Sequence, residues 1–204
     1  MINYLISYID KETGLNENQK KYLKKDLEGK RSIAFISSLP DLYDENDEKL
    51  QSQLGRLAIS DITFDNAYLI DHRKNKNTAK KEIMDSDVVF LMGGDPYSEM
   101  EFIKEYELVD ILKQKDFIIG VSAGAMIQAP RVVYRDEFNN DIIRDFEGLG
   151  LVGIYIFPHV DDEKIMEESH EMNEIYPNTP LYNSDFVRVE NGNIEIVKQK
   201  KKQK

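Results

Sequence analysis

The chain reads as an α/β domain: a doubly wound, mostly parallel sheet with helices on both faces and a C-terminal β-hairpin. Three observations predict this. Short apolar runs alternate with segments of helical length and spacing along most of the sequence. One run, Val88-Val89-Phe90-Leu91-Met92, is apolar at every position, as a strand covered on both faces requires. The last element, Phe186 to Val197, places Asn191-Gly192 between two strand-like segments, and Asn-Gly favours a two-residue hairpin turn.

In chain order, Leu5 to Tyr8 is a weak first strand, and Asn16 to Glu28 a polar helix closed by Gly29. Ile33 to Ile36 is a strand. Leu50, Leu54, Leu57 and Ala58 recur at helical spacing, which predicts a helix over Asp44 to Ser60. Ala67 to Ile70 is a strand, Thr78 to Asp85 a short helix, and Val88 to Met92 the buried strand. After Gly93-Gly94-Asp95-Pro96 a helix runs from Tyr97 to Lys113, with Ser98 and Glu101 as a capping box. Phe117 to Val121 is a strand. An irregular polar stretch follows, then a strand at Ile154 to Phe157 and a helix from Asp162 to Tyr176, before Pro177. Residues 1–197 form one domain, and 198–204 a basic tail expected to be disordered.

Composition narrows the function. The chain has 204 residues, enough for one full core, and a formal charge of -11, which argues against nucleic acid as a partner. No apolar stretch is long enough to span a membrane, and the N-terminus does not have the pattern of a signal peptide. The lack of cysteine removes disulfides, thiolate metal sites and cysteine nucleophiles, and fits a cytoplasmic setting.

The chemistry is carried by Gly120-Val121-Ser122-Ala123-Gly124. A G-x-S-x-G between a buried strand and a helix is the context of a nucleophile elbow. Glycines two residues either side let a serine sit in a strained turn, and the following helix would aim its N-terminal amides at an oxyanion. A serine needs a base. Of the three histidines, His72 lies in a polar loop and His170 on an acidic helix. His159 follows the strand ending at Phe157, which puts it on the same sheet edge as Ser122. An acid that orients His159 would come from Asp136, Glu137, Asp141, Asp145 or Glu147, and spacing does not choose among them. Backbone amides at Gly94 and Ala123 would form the oxyanion hole.

These residues together resemble the dipeptidase E and cyanophycinase family of serine peptidases. The resemblance rests on Met92-Gly93-Gly94-Asp95, Gly120-Val121-Ser122-Ala123-Gly124-Ala125 and Pro158-His159, in that order over roughly residues 30 to 165. It implies a fold like class I glutamine amidotransferases with serine in place of the elbow cysteine. It also implies a Ser122-His159-Glu137 triad working through an acyl-enzyme on short peptides, without metal or organic cofactor. Two departures stand out. Asp95-Pro96 replaces the family's frequent Asn-Thr, and Glu167 to Met172 lacks the arginine of the dipeptidase's Gly-x-Thr-Arg-Glu motif. A weak preference for N-terminal aspartate is therefore expected, because a substrate carboxylate needs a cation. Two rival readings are an α/β-hydrolase esterase, which shares the elbow, and an inactive binding protein on the same fold. Oligomeric state is not legible.

Overall fold

The computed structural model describes residues 1–136 and 142–199. Its centre is a seven-stranded sheet of order β11-β10-β1-β5-β4-β2-β3. Five strands are parallel: β1 (Ile2–Ile6), β5 (Phe117–Val121), β4 (Val88–Leu91), β2 (Ser32–Ile36) and β3 (Asn66–Ile70). β10 (Phe186–Glu190) runs antiparallel to β1 and turns back into the edge strand β11 (Asn193–Val197). Asn191 and Gly192 both have positive φ, 50° and 85°, as the expected Asn-Gly turn demands.

Alternate residues of the buried strands feed two cores. Tyr4, Ile6, Phe35, Phe90 and Ile119 face one side, where Leu23 of α1 (Glu17–Asp26) and Leu57 of α2 (Tyr43–Ile59) cover them. Leu5, Ala34, Val89, Leu91 and Ile118 face the other. There α3 (Lys76–Asp85), α4 (Pro96–Glu105) and α5 (Val109–Leu112) supply Ile83, Ile103 and Leu112. Helices therefore lie on both faces, as expected.

The structure corrects several boundaries. β1 ends at Ile6, so Ser7 and Tyr8 leave the sheet. The helix expected over Tyr97 to Lys113 is broken. Leu108 N–H returns to the Ile103 carbonyl and Glu107 N–H to Lys104, a Schellman closure with Glu107 at φ 56°. No glycine marks this stop, and burial of Leu108 favours it instead. The cap of α4 is Asp95 rather than Ser98: its carboxylate accepts from the Ser98 N–H and hydroxyl, with Pro96 in the first helical position. The stretch after the elbow is not irregular. β6 (Arg131–Arg135) and β7 (Ile143–Glu147) pair antiparallel, and the Arg131–Asp145 bridge spans them. β8 shrinks to Ile156–Phe157 and pairs with β9 (Thr179–Pro180), and α7 spans Glu163–Asn173. In the expected tail, the Gln199 N–H bonds Asp185; residues 200–204 lie outside the described part.

His72 is not the solvated loop residue expected. It packs edge-on to Phe102, with Nδ1 2.6 Å from Asp41 and Nε2 3.2 Å from Glu105. Burial opposes its charge, but the Asp41 hydrogen bond and the two carboxylates outweigh burial, and the net shift is upward. A raised folded-state value means that the charged ring's stabilisation is complete below the unfolded value of about 6.5 and fades as pH rises through the folded one. His72→Gln is therefore expected to lower stability by about 0.5–1 kcal/mol near pH 6. The deficit should shrink towards pH 9, as read by urea unfolding across that range.

Candidate active site

The sheet register brings the site together. Ile6 lies beside Val121 and Leu91 beside Gly120, so Ser7, the Gly93-Gly94 turn and Ser122 all leave one edge. Ser122 has φ 53° and ψ -114°, a strained conformation for a residue with a side chain. Its N–H still bonds the Ile6 carbonyl at 2.9 Å, and its own carbonyl accepts from Ala125 and Met126. The flanking glycines are steric necessities. A Cβ on Gly120 would stand 2.2 Å from the Gly124 carbonyl oxygen, and one on Gly124 2.2 Å from that of Leu91. The helix after the serine, α6 (Ala123–Met126), is a single turn. It is too short to carry a strong helix dipole, leaving individual amides as the electrostatic resource. The N–H groups of Gly94 and Ala123 donate to no backbone acceptor among the described residues.

His159 is carried beyond β8 with φ 62°. Its N–H is held 2.9 Å from the Ser7 hydroxyl, which itself donates to the Leu181 carbonyl, so β1 and β9 pin the backbone. Ring Nε2 lies 2.8 Å from Ser122 Oγ. Ring Nδ1 lies 2.8 Å from Asn183 Oδ1. An amide oxygen there places the proton on Nδ1 and leaves Nε2 as the acceptor of the serine hydroxyl. Tyr8 meets the ring edge-on with centroids 6.2 Å apart.

Glu137, the expected orienting acid, lies outside the described residues, as does Asp141. Asp136 and Asp145 bond Arg144 and Arg131. Asn183 and Ser7 escaped the sequence reading. The search was for a carboxylate ahead of His159, whereas Asn183 is an amide behind it and Ser7 lies at the far end of the chain. His170 is exposed on α7, as expected.

Next to Ser122 is a small pocket of about 80 Å³, walled by Met126, Tyr134, Phe157 and Ile165, with Arg135 and Glu168 at its polar side. Glu168 accepts the Arg135 N–H, and the Arg135 guanidinium bonds Glu171. The Tyr134 hydroxyl donates to Asp95, tying this wall to the Gly94 turn. Burial, followed by the Asp95 bond, holds the Tyr134 phenol well above its usual range. A wider cleft of about 400 Å³ opens by His72; of its lining, Ser98 bonds Asp95 and His72 bonds Asp41 and Glu105 rather than each other. No cluster of three or more metal-binding side chains occurs among the described residues.

Peptidase family S51 matches residues 5–197 of the chain. An uncharacterized peptidase of Pasteurella multocida is 27% identical over 118 residues, 52% of this chain and 57% of its own length, so the chain spans little more than half of that curated relative. Among solved structures, a protein from Listeria monocytogenes EGD-e described as a candidate peptidase E superposes with a TM-score of 0.71 at 17% identity, covering 98% of both chains. A peptidase from an acI-B1 Actinobacterium gives 0.67 at 12%, covering 97% of this chain and 87% of its own. At these identities the two structures speak for the fold.

The Gly124 contact yields a direct test. Gly124→Ala is expected to destabilise by about 1–3 kcal/mol, since its Cβ meets backbone rather than a movable side chain. It should also slow fluorophosphonate labelling of Ser122 by at least about tenfold, through a displaced elbow. Calorimetry and mass spectrometry of the labelled protein read the two effects.

Proposed function

The chain belongs to peptidase family S51, and on that premise we propose that it is a serine peptidase of the dipeptidase E type, cleaving short peptides through an acyl-enzyme. The observation that carries the reading is the 2.8 Å contact between His159 Nε2 and Ser122 Oγ at a strained elbow. Ser122 Oγ attacks the carbonyl carbon while His159 Nε2 takes its proton. The tetrahedral oxyanion is held by the Gly94 and Ala123 amides. Return of the proton from His159 to the leaving nitrogen breaks the C–N bond and frees the amine. A water molecule then repeats the sequence on the ester, restoring Ser122 and releasing the acid.

The small pocket suits a compact side chain on the acyl residue. Asp95 and Glu168 stand at this side and the Arg135 charge is engaged by Glu171, which supports the expected weak preference for an acidic residue there.

Ser122→Ala is expected to cut turnover on a dipeptide library by about four to six orders of magnitude while leaving the unfolding midpoint within a few degrees. Residual activity above about a tenth of wild type would remove Ser122 from the nucleophile role.

For the group that orients His159 there are two candidates: Asn183, in contact with Nδ1, and Glu137, which the resemblance implies. Asn183→Ala is expected to lower kcat by about 10–100-fold with KM nearly unchanged, because a misplaced tautomer harms the proton transfer rather than binding. Glu137→Gln is the parallel measurement. A loss confined to Glu137→Gln would give the orienting role to the acid.

A further inference from the structure

A short peptide brings a free carboxylate within one residue of the bond that is cut. Desolvating that carboxylate beside an acidic site is unfavourable unless a cation receives it. Four arginines are engaged elsewhere: Arg131 with Asp145, Arg135 with Glu171, Arg144 with Asp136, and Arg188 with Asp26 and Glu190.

Lys49 differs. It lies on the inner side of α2, partly buried, and makes no ion pair or hydrogen bond among the described residues. Its Nζ lies 3.7 Å from the point where a Cβ on Gly94 would stand, and the Ser38 hydroxyl, which donates to the Gly93 carbonyl, lies 2.1 Å from that point. Gly94 is exposed and itself carries no side chain. Two turns on, the guanidinium of Arg56 stands 6.0 Å from the Tyr8 ring, which itself touches His159. The Arg56 Nε is buried without an acceptor. Lys49 and Arg56, at i and i+7, thus put two positive charges of α2 on the same side of the site. Glu99, fully buried, lies within electrostatic reach of Lys49. Burial pushes its carboxyl well above the usual range, against the opposing pull of a Met92 backbone hydrogen bond and the Lys49 charge.

We propose that the Lys49 ammonium receives the free carboxylate of the leaving residue, making it the specificity-determining cation for substrates that end one residue past the cleaved bond. The acyl side chain then occupies the small pocket, and the leaving residue lies on the α2 side of Ser122. This assignment rests on the peptidase reading above, and its test is separable from it. With Ser122→Ala protein, L-alanyl-L-leucine and its C-terminal amide are titrated by calorimetry, with and without Lys49→Met. The acid is expected to bind at least about tenfold more tightly than the amide, as a charge-assisted bond implies. Lys49→Met should erase that difference while leaving the amide within about twofold, and Lys49→Arg should keep most of it. Equal binding of acid and amide, an equal loss of both in Lys49→Met, or binding of neither overturns the assignment. A wild-type enzyme that labels with fluorophosphonate and cleaves dipeptides without discriminating acid from amide refutes Lys49 alone. A protein that discriminates in binding but neither labels nor cleaves refutes the peptidase reading alone.

Discussion

The close packing of Gly120, Gly124 and the end of β4 is the constraint on which the rest of the site depends. Ser122 stays at positive φ because its backbone is held on both sides. Its N–H continues the sheet to Ile6, and its carbonyl begins α6. The strain of such a conformation is of the order of 1–3 kcal/mol, and several backbone hydrogen bonds in a buried setting can offset it. A side chain at either glycine would force β5, β4 or α6 apart, and the serine would relax into an ordinary turn. The Gly93 turn packs against the same elbow, where a Cβ at Gly93 would lie 3.4 Å from that of Ser122.

His159, the proposed base, is held in a different way. His159 sits on a short, irregular segment, and its position comes from partners distant in sequence: Ser7 on its backbone N–H and Asn183 on its ring. Three stretches of chain, after β1, after β8 and before β10, must therefore converge before the serine and histidine meet. The Leu181 carbonyl closes the loop by accepting both from the Ser7 hydroxyl and, at 3.4 Å, from the Val160 N–H. A site assembled in this way is sensitive to sheet register. A one-residue slip of β1 against β5 would carry Ser7 away from His159 and turn Leu5 and Ile6 to the wrong cores.

Electrostatics divide the site. On one side stand Asp95, Glu168 and Glu171, with Tyr134 and Arg135 bonded to them. On the other stand Lys49 and Arg56 of α2. In a chain of charge -11, this local asymmetry matters more than the net field for how a charged peptide is oriented.

Much was legible in the chain alone. Each sheet strand is a run of apolar or alternating residues, and each long helix repeats at helical spacing, because burial on the faces of a sheet imposes those periods locally. The elbow was legible because its glycines and serine are neighbours in sequence, and His159 because it ends a buried strand. The β6–β7 hairpin was not. Its Arg131-Val132-Val133-Tyr134-Arg135 strand is capped by charges that only their partners Asp145 and Glu171 make compatible with packing. Nor was the break after Glu105, where Glu107 takes a conformation usually left to glycine because Leu108 is drawn into the core. Ser7, Asn183 and Lys49 carry no local signal, since each meets the site across 24 or more residues of chain. Sequence by itself determined most of the central strands and long helices, and the strained turn that carries Ser122. Tertiary structure alone decided which groups hold His159 and which charges surround Ser122, because those contacts depend on how separate segments converge and leave no period in the chain.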